Sequence, residues 1–312
     1  MIIDILLSTY NGEKYIHNLI DSIINQSYTE WRLYIRDDGS IDDTSNILNW
    51  YKEKYLLKIK IIEDNLGNIG PSKSFMELIK YSNADYFMFC DQDDVWFTNK
   101  IKITLDKMLA VKQNNEGIPI IIHTDLTVVD SELNIISKSF WKYQNKNPNI
   151  KNYRRLIVEN NITGCTMMLS KEIKKYINLE KNDFILMHDW FTTILAAYYG
   201  VIDYVDTSTI FYRQHNDNVL GAKSILSKIK NYRFNLFRFI KERKNNYDKY
   251  TLQSNVLYKV TKEDKILKFC QISRRNIIYK MFWCIKYGFY KHSFIGNIIF
   301  FIFYSNHNEF KN

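Results

Sequence analysis

The apolar positions of this 312-residue chain fall in short continuous runs that alternate with helical spacing over its first two hundred residues. Ile2–Ser8 is a run of strand length. After Asn11-Gly12, residues Tyr15, Ile16, Leu19, Ile20, Ile23 and Ile24 recur at the spacing of an amphipathic helix. Trp31–Ile35 predicts a second strand ending on Asp37-Asp38-Gly39-Ser40, and Asp42-Asp43-Thr44 opens a helix through Ile47, Leu48 and Tyr51. Leu57–Ile62 gives a third strand, closed by the turn-rich Asp64–Gly70, with Pro71 placed to start a helix over Ser72–Tyr81. The fourth strand, Tyr86–Cys90, runs straight into Asp91-Gln92-Asp93-Asp94-Val95-Trp96. Strands and helices alternating in this way predict an α/β domain, Rossmann-like, with a mostly parallel sheet covered on both faces. Such sheets bind ligands beyond the carboxyl ends of their strands.

Ser8-Thr9-Tyr10-Asn11, Asp37-Asp38-Gly39-Ser40 and Asp91-Gln92-Asp93 all fall at those carboxyl ends, so three separate segments converge on one crevice. Carboxylate oxygens are hard ligands that suit Mg²⁺ or Mn²⁺, and such ions keep one or two protein carboxylates while phosphate oxygens fill other positions. A metal-bound diphosphate is the implied partner. The plainer alternative is an acidic strand-end loop bathed in water.

Composition narrows the class. With 46% hydrophobic residues, 3 Pro, 10 Gly and no low-complexity tract, the chain is globular without a long flexible linker. Cys90, Cys165, Cys270 and Cys284 lack C-x-x-C spacing, which argues against a zinc site or a disulfide framework and for a reducing cytoplasm. The N-terminal apolar run has no basic flank and carries Asp4, so it reads as a buried strand rather than a signal peptide. Charge is divided unevenly. Residues 219–312 hold 19 Lys+Arg against 5 Asp+Glu, residues 1–218 hold 24 against 29, giving an acidic body and a basic tail.

The ordered motifs Ser8-Thr9-Tyr10-Asn11-Gly12, Asp37-Asp38-Gly39-Ser40, Asn65-Leu66-Gly67-Asn68-Ile69-Gly70 and Asp91-Gln92-Asp93-Asp94-Val95-Trp96 resemble family 2 glycosyltransferases of the GT-A fold. The resemblance covers about residues 1–220 and is greatest to bacterial rhamnosyltransferases of cell-wall or capsular polysaccharide synthesis. It implies a nucleotide-diphosphate sugar as donor. Thr9, Tyr10, Asn11, Asp37, Asp38, Asp91 and Gln92 are then the nucleotide-sugar contacts. A carboxylate can accept the imide N–H of uracil or thymine, and an aromatic face can stack on the base. Asp37 can equally serve as a turn or cap residue. Asp91-Gln92-Asp93 looks like the family's D-x-D motif, with Asp93 as metal ligand and Asp91 beside the ribose; Asp94 is a neighbour and Trp96 a packing residue.

Three further segments extend the resemblance. His188-Asp189-Trp190 opens a helix-like stretch over Phe191–Tyr199, and in the matching family segment an acid before an aromatic deprotonates the acceptor, which makes Asp189 the candidate general base. His188 and Trp190 are candidate acceptor contacts, His188 with packing as its alternative. Asn160–Met168 resembles the acceptor-side strand, where Gly164 and Cys165 would lie close to the sugar. Tyr212–Asn218 carries the Arg-Gln-His pattern, with Arg213 as diphosphate contact and His215 as metal or phosphate ligand. Together these residues imply an inverting displacement without a covalent intermediate. The chain lacks Gln-x-x-Arg-Trp and membrane spans, so one sugar per encounter is expected.

From Lys223 onward, cations interleave with aromatics, as in Lys230–Phe239 and Arg274–Tyr290. Basic helices with aromatic faces suit an anionic membrane surface, and Ser293–Asn308 is too interrupted to span one. The expectation is a catalytic domain over 1–220 and a basic helical region over 221–312 that sits peripherally on the inner face of the membrane. A glycan or polyprenyl-diphosphate-linked acceptor would explain it. The alternative is a helical region whose aromatics pack against the body. Nucleic acid is not expected, since no recognition motif accompanies the charge. A nucleotidyltransferase would be expected to carry a Gly-rich basic loop near residues 8–14, which is absent. A non-catalytic nucleotide-sugar binding protein and a transferase using uridine diphosphate hexoses stay open at this stage.

Overall fold

The computed structural model describes residues 1–178, 183–215, 250–272 and 275–304. Its strands are β1 Ile3–Thr9, β2 Trp31–Asp37, β3 Ile59–Ile61, β4 Tyr86–Asp91, β5 Val95–Trp96, β6 Ile120–Val129, β7 Ile135–Ser137, β8 Met168–Ser170 and β9 Val201–Arg213. The helices are α1 Ile16–Ile24, α2 Thr44–Lys54, α3 Pro71–Tyr81, α4 Lys100–Lys112, α5 Phe140–Gln144, α6 Tyr153–Val158, α7 His188–Tyr199, α8 over residues 250–261, α9 Asp264–Ile272, α10 Ile277–Tyr287 and α11 Phe294–Phe303. The basic run 230–239 lies outside the described residues, as do Arg274 and Asn216–Asn218.

One sheet in the order β3-β2-β1-β4-β8-β6-β9-β5 organises the chain, with β7 added beside β6. Strands β1 to β4 pair in parallel, as their alternation with α1, α2 and α3 predicts. Beyond β4 the sheet is mixed: β8 is antiparallel to both β4 and β6, while β6 and β9 are parallel. β8 is reached from β6 through β7, α5 and α6 rather than by a single crossover helix, so no rule forces it parallel. Register places the expected crevice. Thr9 stands beside Asp37 and Ser8 beside Asp91, which aligns the ends of β1, β2 and β4 on one edge.

Alternation along the strands divides the core into two layers. Ile5, Leu7, Met88 and Cys90 face α1, α2 and α4, whereas Leu6, Phe87 and Phe89 face α3, α6 and α7. Each fully buried side chain of this size contributes about 1.5–3 kcal/mol. Asp4 is the exception within β1. It is fully buried and accepts from Arg32 Nε (2.9 Å), Ser82 Oγ (2.9 Å) and the Asn83 and Ala84 amides, tying β1 to β2 and to the turn before β4.

The α6–α7 layer continues without a break into the C-terminal helices. Val256, Leu257, Phe269, Trp283, Phe289 and Phe300 belong to the same buried cluster as Phe75, Phe89 and Trp190. Arg155 Nε donates to Tyr290 O (2.6 Å) and the Trp190 ring meets Tyr250 edge-on at 4.9 Å. The inner faces of the tail helices therefore pack their aromatics on the body. No helix among the described residues is long and apolar enough to cross a membrane.

Candidate active site

The crevice is built on a clip between β1 and the loop after β4. Gln92 Oε1 accepts from Thr9 Oγ1 (2.6 Å) and from the Tyr10 amide (2.8 Å), while its Nε2 donates to Tyr10 O (3.1 Å). Gly12 lies so close that a Cβ there would stand 2.7 Å from Gln92 Oε1 and 2.8 Å from Thr9 Oγ1. Asn11, at φ +48°, accepts from the Ile41 amide and joins this clip to the loop after β2. The Tyr10 ring, 45% exposed, is left facing solvent.

The two acids after β2 have different surroundings. Asp37 Oδ1 accepts from the Ser40 amide and hydroxyl (3.1 and 2.6 Å), and Oδ2 has no partner among the described residues. Asp38 is buried and fully engaged inside the protein. It pairs with Arg36 and accepts from the Ile69 amide (2.9 Å) and the Gly70 amide (2.8 Å), and Arg36 also pairs with Asp64 at 2.7 Å. Its role is thus to fold the Asp64–Gly70 loop over the crevice.

Three carboxyl groups crowd the end of β4. Burial pushes Asp91 up to about 7, with the negative charges of Asp93 and Asp189 adding to the effect. Burial together with Asp93 and Asp91 drives Asp94 well above the carboxylate range, and neither of its oxygens has a hydrogen bond of ordinary geometry. Ligand atoms of Asp91, Asp94 and Cys165 all lie within 4.8 Å of one another. Burial, with Asp94 and Asp91 close by, holds the Cys165 thiol well above its usual range. Asp93 differs: its Oδ2 meets His215 Nε2 at 2.7 Å. Arg213 braces that pair from behind. Its Nε donates to Asp93 O (3.0 Å), Nη1 to Ser131 O, and the guanidinium lies 4.5 Å over Tyr15, whose ring also sits 5.1 Å from His215.

Asp189 stands in the first turn of α7, buried at 7% exposure. Oδ2 accepts from the Gly164 amide (3.0 Å) and Oδ1 from the Trp190 amide (2.6 Å). Burial raises its carboxyl to about 6, while the Trp190 and Gly164 amides and the Asn160 side chain pull it down. Gly164 is required for contact with this acid. A Cβ at that position would lie 3.0 Å from His188 Nε2 and 3.1 Å from Asp189 Cβ.

The structure gives the other residues expected on the acceptor side packing roles. His188 is stacked on Phe75 (3.8 Å) and edge-on to Phe89 (4.6 Å), its ring nitrogens have no hydrogen bond, and burial pushes it down to about 3. Trp190 turns into the core, with Nε1 donating to Leu156 O (2.5 Å). Cys165 is fully enclosed beneath the acids.

Two residues that pattern reading passed over belong to the site. Lys100 is fully buried, 4.6 Å over the Trp96 ring, and burial lowers it to about 8 against the opposing pull of Cys165, Cys90 and Asp94. It is the positive charge beneath the acids. Among Lys100, Lys102, Lys107 and Lys112 of one helix, nothing in the sequence singles it out. The helical spacing places Tyr15 on the apolar stripe, and its distance from Arg213 and His215 shows a second role.

Residues 4–177 match Glycosyl transferase family 2. The chain belongs to that family. It is a glycosyltransferase using a nucleotide sugar as donor. It is 32% identical over 242 residues to the dTDP-rhamnosyl transferase RfbG of Shigella flexneri, covering 74% of this chain and 79% of that protein. It is 28% identical over 108 residues to WfgD of Escherichia coli, a UDP-Glc:alpha-D-GlcNAc-diphosphoundecaprenol beta-1,3-glucosyltransferase, covering 35% of this chain and 41% of the relative. Among solved structures, S. aureus TarS 1-349 in complex with UDP-GlcNAc superposes with a TM-score of 0.56 at 17% identity, over 88% of this chain and 73% of TarS. That last likeness establishes the GT-A fold and its mixed sheet.

Proposed function

We propose that this glycosyltransferase moves a sugar, with inversion and one residue at a time, from a nucleoside diphosphate to a hydroxyl of a glycan or lipid-linked acceptor in surface polysaccharide synthesis. Rhamnose from dTDP-L-rhamnose is the proposed donor, supported by the match to RfbG along most of both chains. Tyr10 and Asp37 Oδ2 face the base, and Thr9, Asn11 and Gln92 hold the loop that carries Tyr10.

The single observation that carries the mechanism is Asp189. A carboxyl raised to about 6 and fixed by two backbone amides is ionised at neutral pH, yet basic enough to accept the hydroxyl proton as that oxygen attacks the anomeric carbon. Attack comes from the face opposite the diphosphate, so the product has inverted configuration. Asp91, whose carboxyl the charge of Asp189 helps to raise, ties the base to the donor side of the crevice.

The donor set fits Mg²⁺ or Mn²⁺. Three mutually repelling acids above a single buried lysine are eased by a cation, and Asp93 with His215 holds hard oxygen and imidazole donors at the crevice wall. When bound, the ion supplies charge neutralisation for the departing diphosphate. Arg213 keeps Asp93 and His215 in place, and the reading places the enzyme at the inner face of the membrane, where a polyprenyl-diphosphate-linked acceptor resides.

Purified protein incubated with dTDP-rhamnose or UDP-hexoses, Mg²⁺ or Mn²⁺ and a lipid-linked glycan tests this. Transfer with inverted anomeric configuration, abolished by chelation and by Asp189→Asn, is the expected result. Retained configuration, or full activity in Asp189→Asn, overturns it.

A further inference from the structure

The last two helices present apolar stripes to solvent. Ile277, Met281 and Ile285 recur along α10, and Phe294, Ile298 and Ile302 along α11, in each case on the face turned away from the core. These six line a groove of about 550 Å³ between the helices. On the ridges beside it, Ile278 is 78% exposed, Ile295 70% and Phe282 66%. A soluble surface seldom leaves so much contiguous apolar area uncovered unless it docks on something.

Charge identifies the occupant. From Lys265 to Asn308 the sequence holds seven Lys and Arg and no Asp or Glu. Arg275 and Lys286 are exposed on this part of the fold, with the Arg275 guanidinium 5.8 Å over Tyr279 and the Lys286 ammonium 5.9 Å over Phe282. A second copy of the chain docked through the same face would bring cations against cations. An anionic bilayer answers both features, taking apolar side chains at the acyl boundary and cations among the headgroups. Helices of 11 and 10 residues reach about half the ~30 Å hydrocarbon thickness at 1.5 Å per residue, so they lie in the interface.

We infer that the α10–α11 face is the surface by which this chain docks on an anionic phospholipid bilayer, with acyl chains entering the groove between the helices. The inference rests on the membrane-side location proposed above. The basic and aromatic pattern of the tail suits a membrane surface over Lys230–Phe239, Arg274–Tyr290 and Ser293–Asn308 alike. The structure assigns the task to one face, because the opposite faces of the same helices, through Trp283, Cys284 and Phe300, are buried in the core.

Co-sedimentation of the full chain with vesicles of phosphatidylcholine, with or without about one third phosphatidylglycerol, is the test. The parent is expected to pellet with the anionic vesicles and stay in solution with the neutral ones. Ile278→Asp with Phe294→Asp, at two largely exposed positions, should weaken that binding at least ~tenfold without moving the thermal midpoint or the rate of transfer to a soluble acceptor. Arg275→Glu with Lys286→Glu, which spares every apolar contact, should weaken it as well. Equal binding by the aspartate pair, no binding by the parent, or a parent dimer that the aspartate pair dissociates would each overturn the inference. Sugar transfer by a parent that ignores vesicles leaves the catalytic reading intact and removes only this surface; vesicle binding without transfer does the reverse.

Discussion

Asp93 and His215 meet at 2.7 Å although 122 residues separate them, and the arginine two positions before the histidine holds the aspartate's own carbonyl. The end of β9 thus closes the acidic loop after β4 from outside. Removing the imidazole in His215→Ala should take away the hydrogen bond at Asp93 Oδ2 and weaken Mn²⁺ affinity about 10–100-fold, with little change in thermal stability. Isothermal titration with Mn²⁺ and the nucleoside diphosphate reads this directly, and unchanged affinity would remove His215 from the ion's surroundings.

The pH dependence follows from Asp189. Its carboxyl, raised to about 6, is protonated and inactive as a base below that value and ionised above it. The rate should therefore climb about tenfold per pH unit below 6 and level off above it. In Asp189→Asn the rate should fall by about 10²–10⁴ and lose this limb. A variant that keeps the same limb places the titrating group elsewhere.

Gly164→Ala puts a methyl 3.0 Å from His188 Nε2 and 3.1 Å from Asp189 Cβ, against the side chain that accepts from the Gly164 amide. His188 is clamped between Phe75 and Phe89 and cannot yield easily. Overpacking of this kind costs about 1–3 kcal/mol. The turnover number should fall more than donor affinity does, which steady-state kinetics beside a donor-binding titration will separate.

Asp38→Ala leaves the buried Arg36 paired with Asp64 alone and strips the Ile69 and Gly70 amides of their acceptor. Breaking a buried pair costs about 3–5 kcal/mol. A lowered thermal midpoint together with weakened donor binding is expected. Full stability would mean that the Asp64–Gly70 loop is held by other contacts.

The sequence carried the first half of the fold because its rules are local. Continuous apolar runs, Pro71 at a helix start and an acid cluster after Cys90 each fix one element, and parallel strands with helical crossovers follow from their order. The insertion of the antiparallel β8 between β4 and β6 depends on pairing across long loops, which no window of sequence records. The site divides similarly. A motif order resembling a known family points to Asp93, Asp189 and His215, and the structure sets Asp93 against His215 and Asp189 against the Gly164 amide. The packing of His188, Trp190 and Cys165, and the burial of Lys100, are set by which face of an element meets the core, and neighbouring residues of the same type look alike in one dimension.

Helix α7 begins at the base and is fastened along its length to the C-terminal helices: Trp190 against Tyr250, Tyr199 Oη to Val260 O at 3.1 Å, and Tyr198 Oη to Glu263 Oε2 at 3.2 Å. On the proposed reading, these contacts set the height of Asp189 above a bilayer docked on the tail. An acceptor would then have to bring its hydroxyl to that height, and the fold would act as a ruler that selects glycans by their reach as well as by their chemistry.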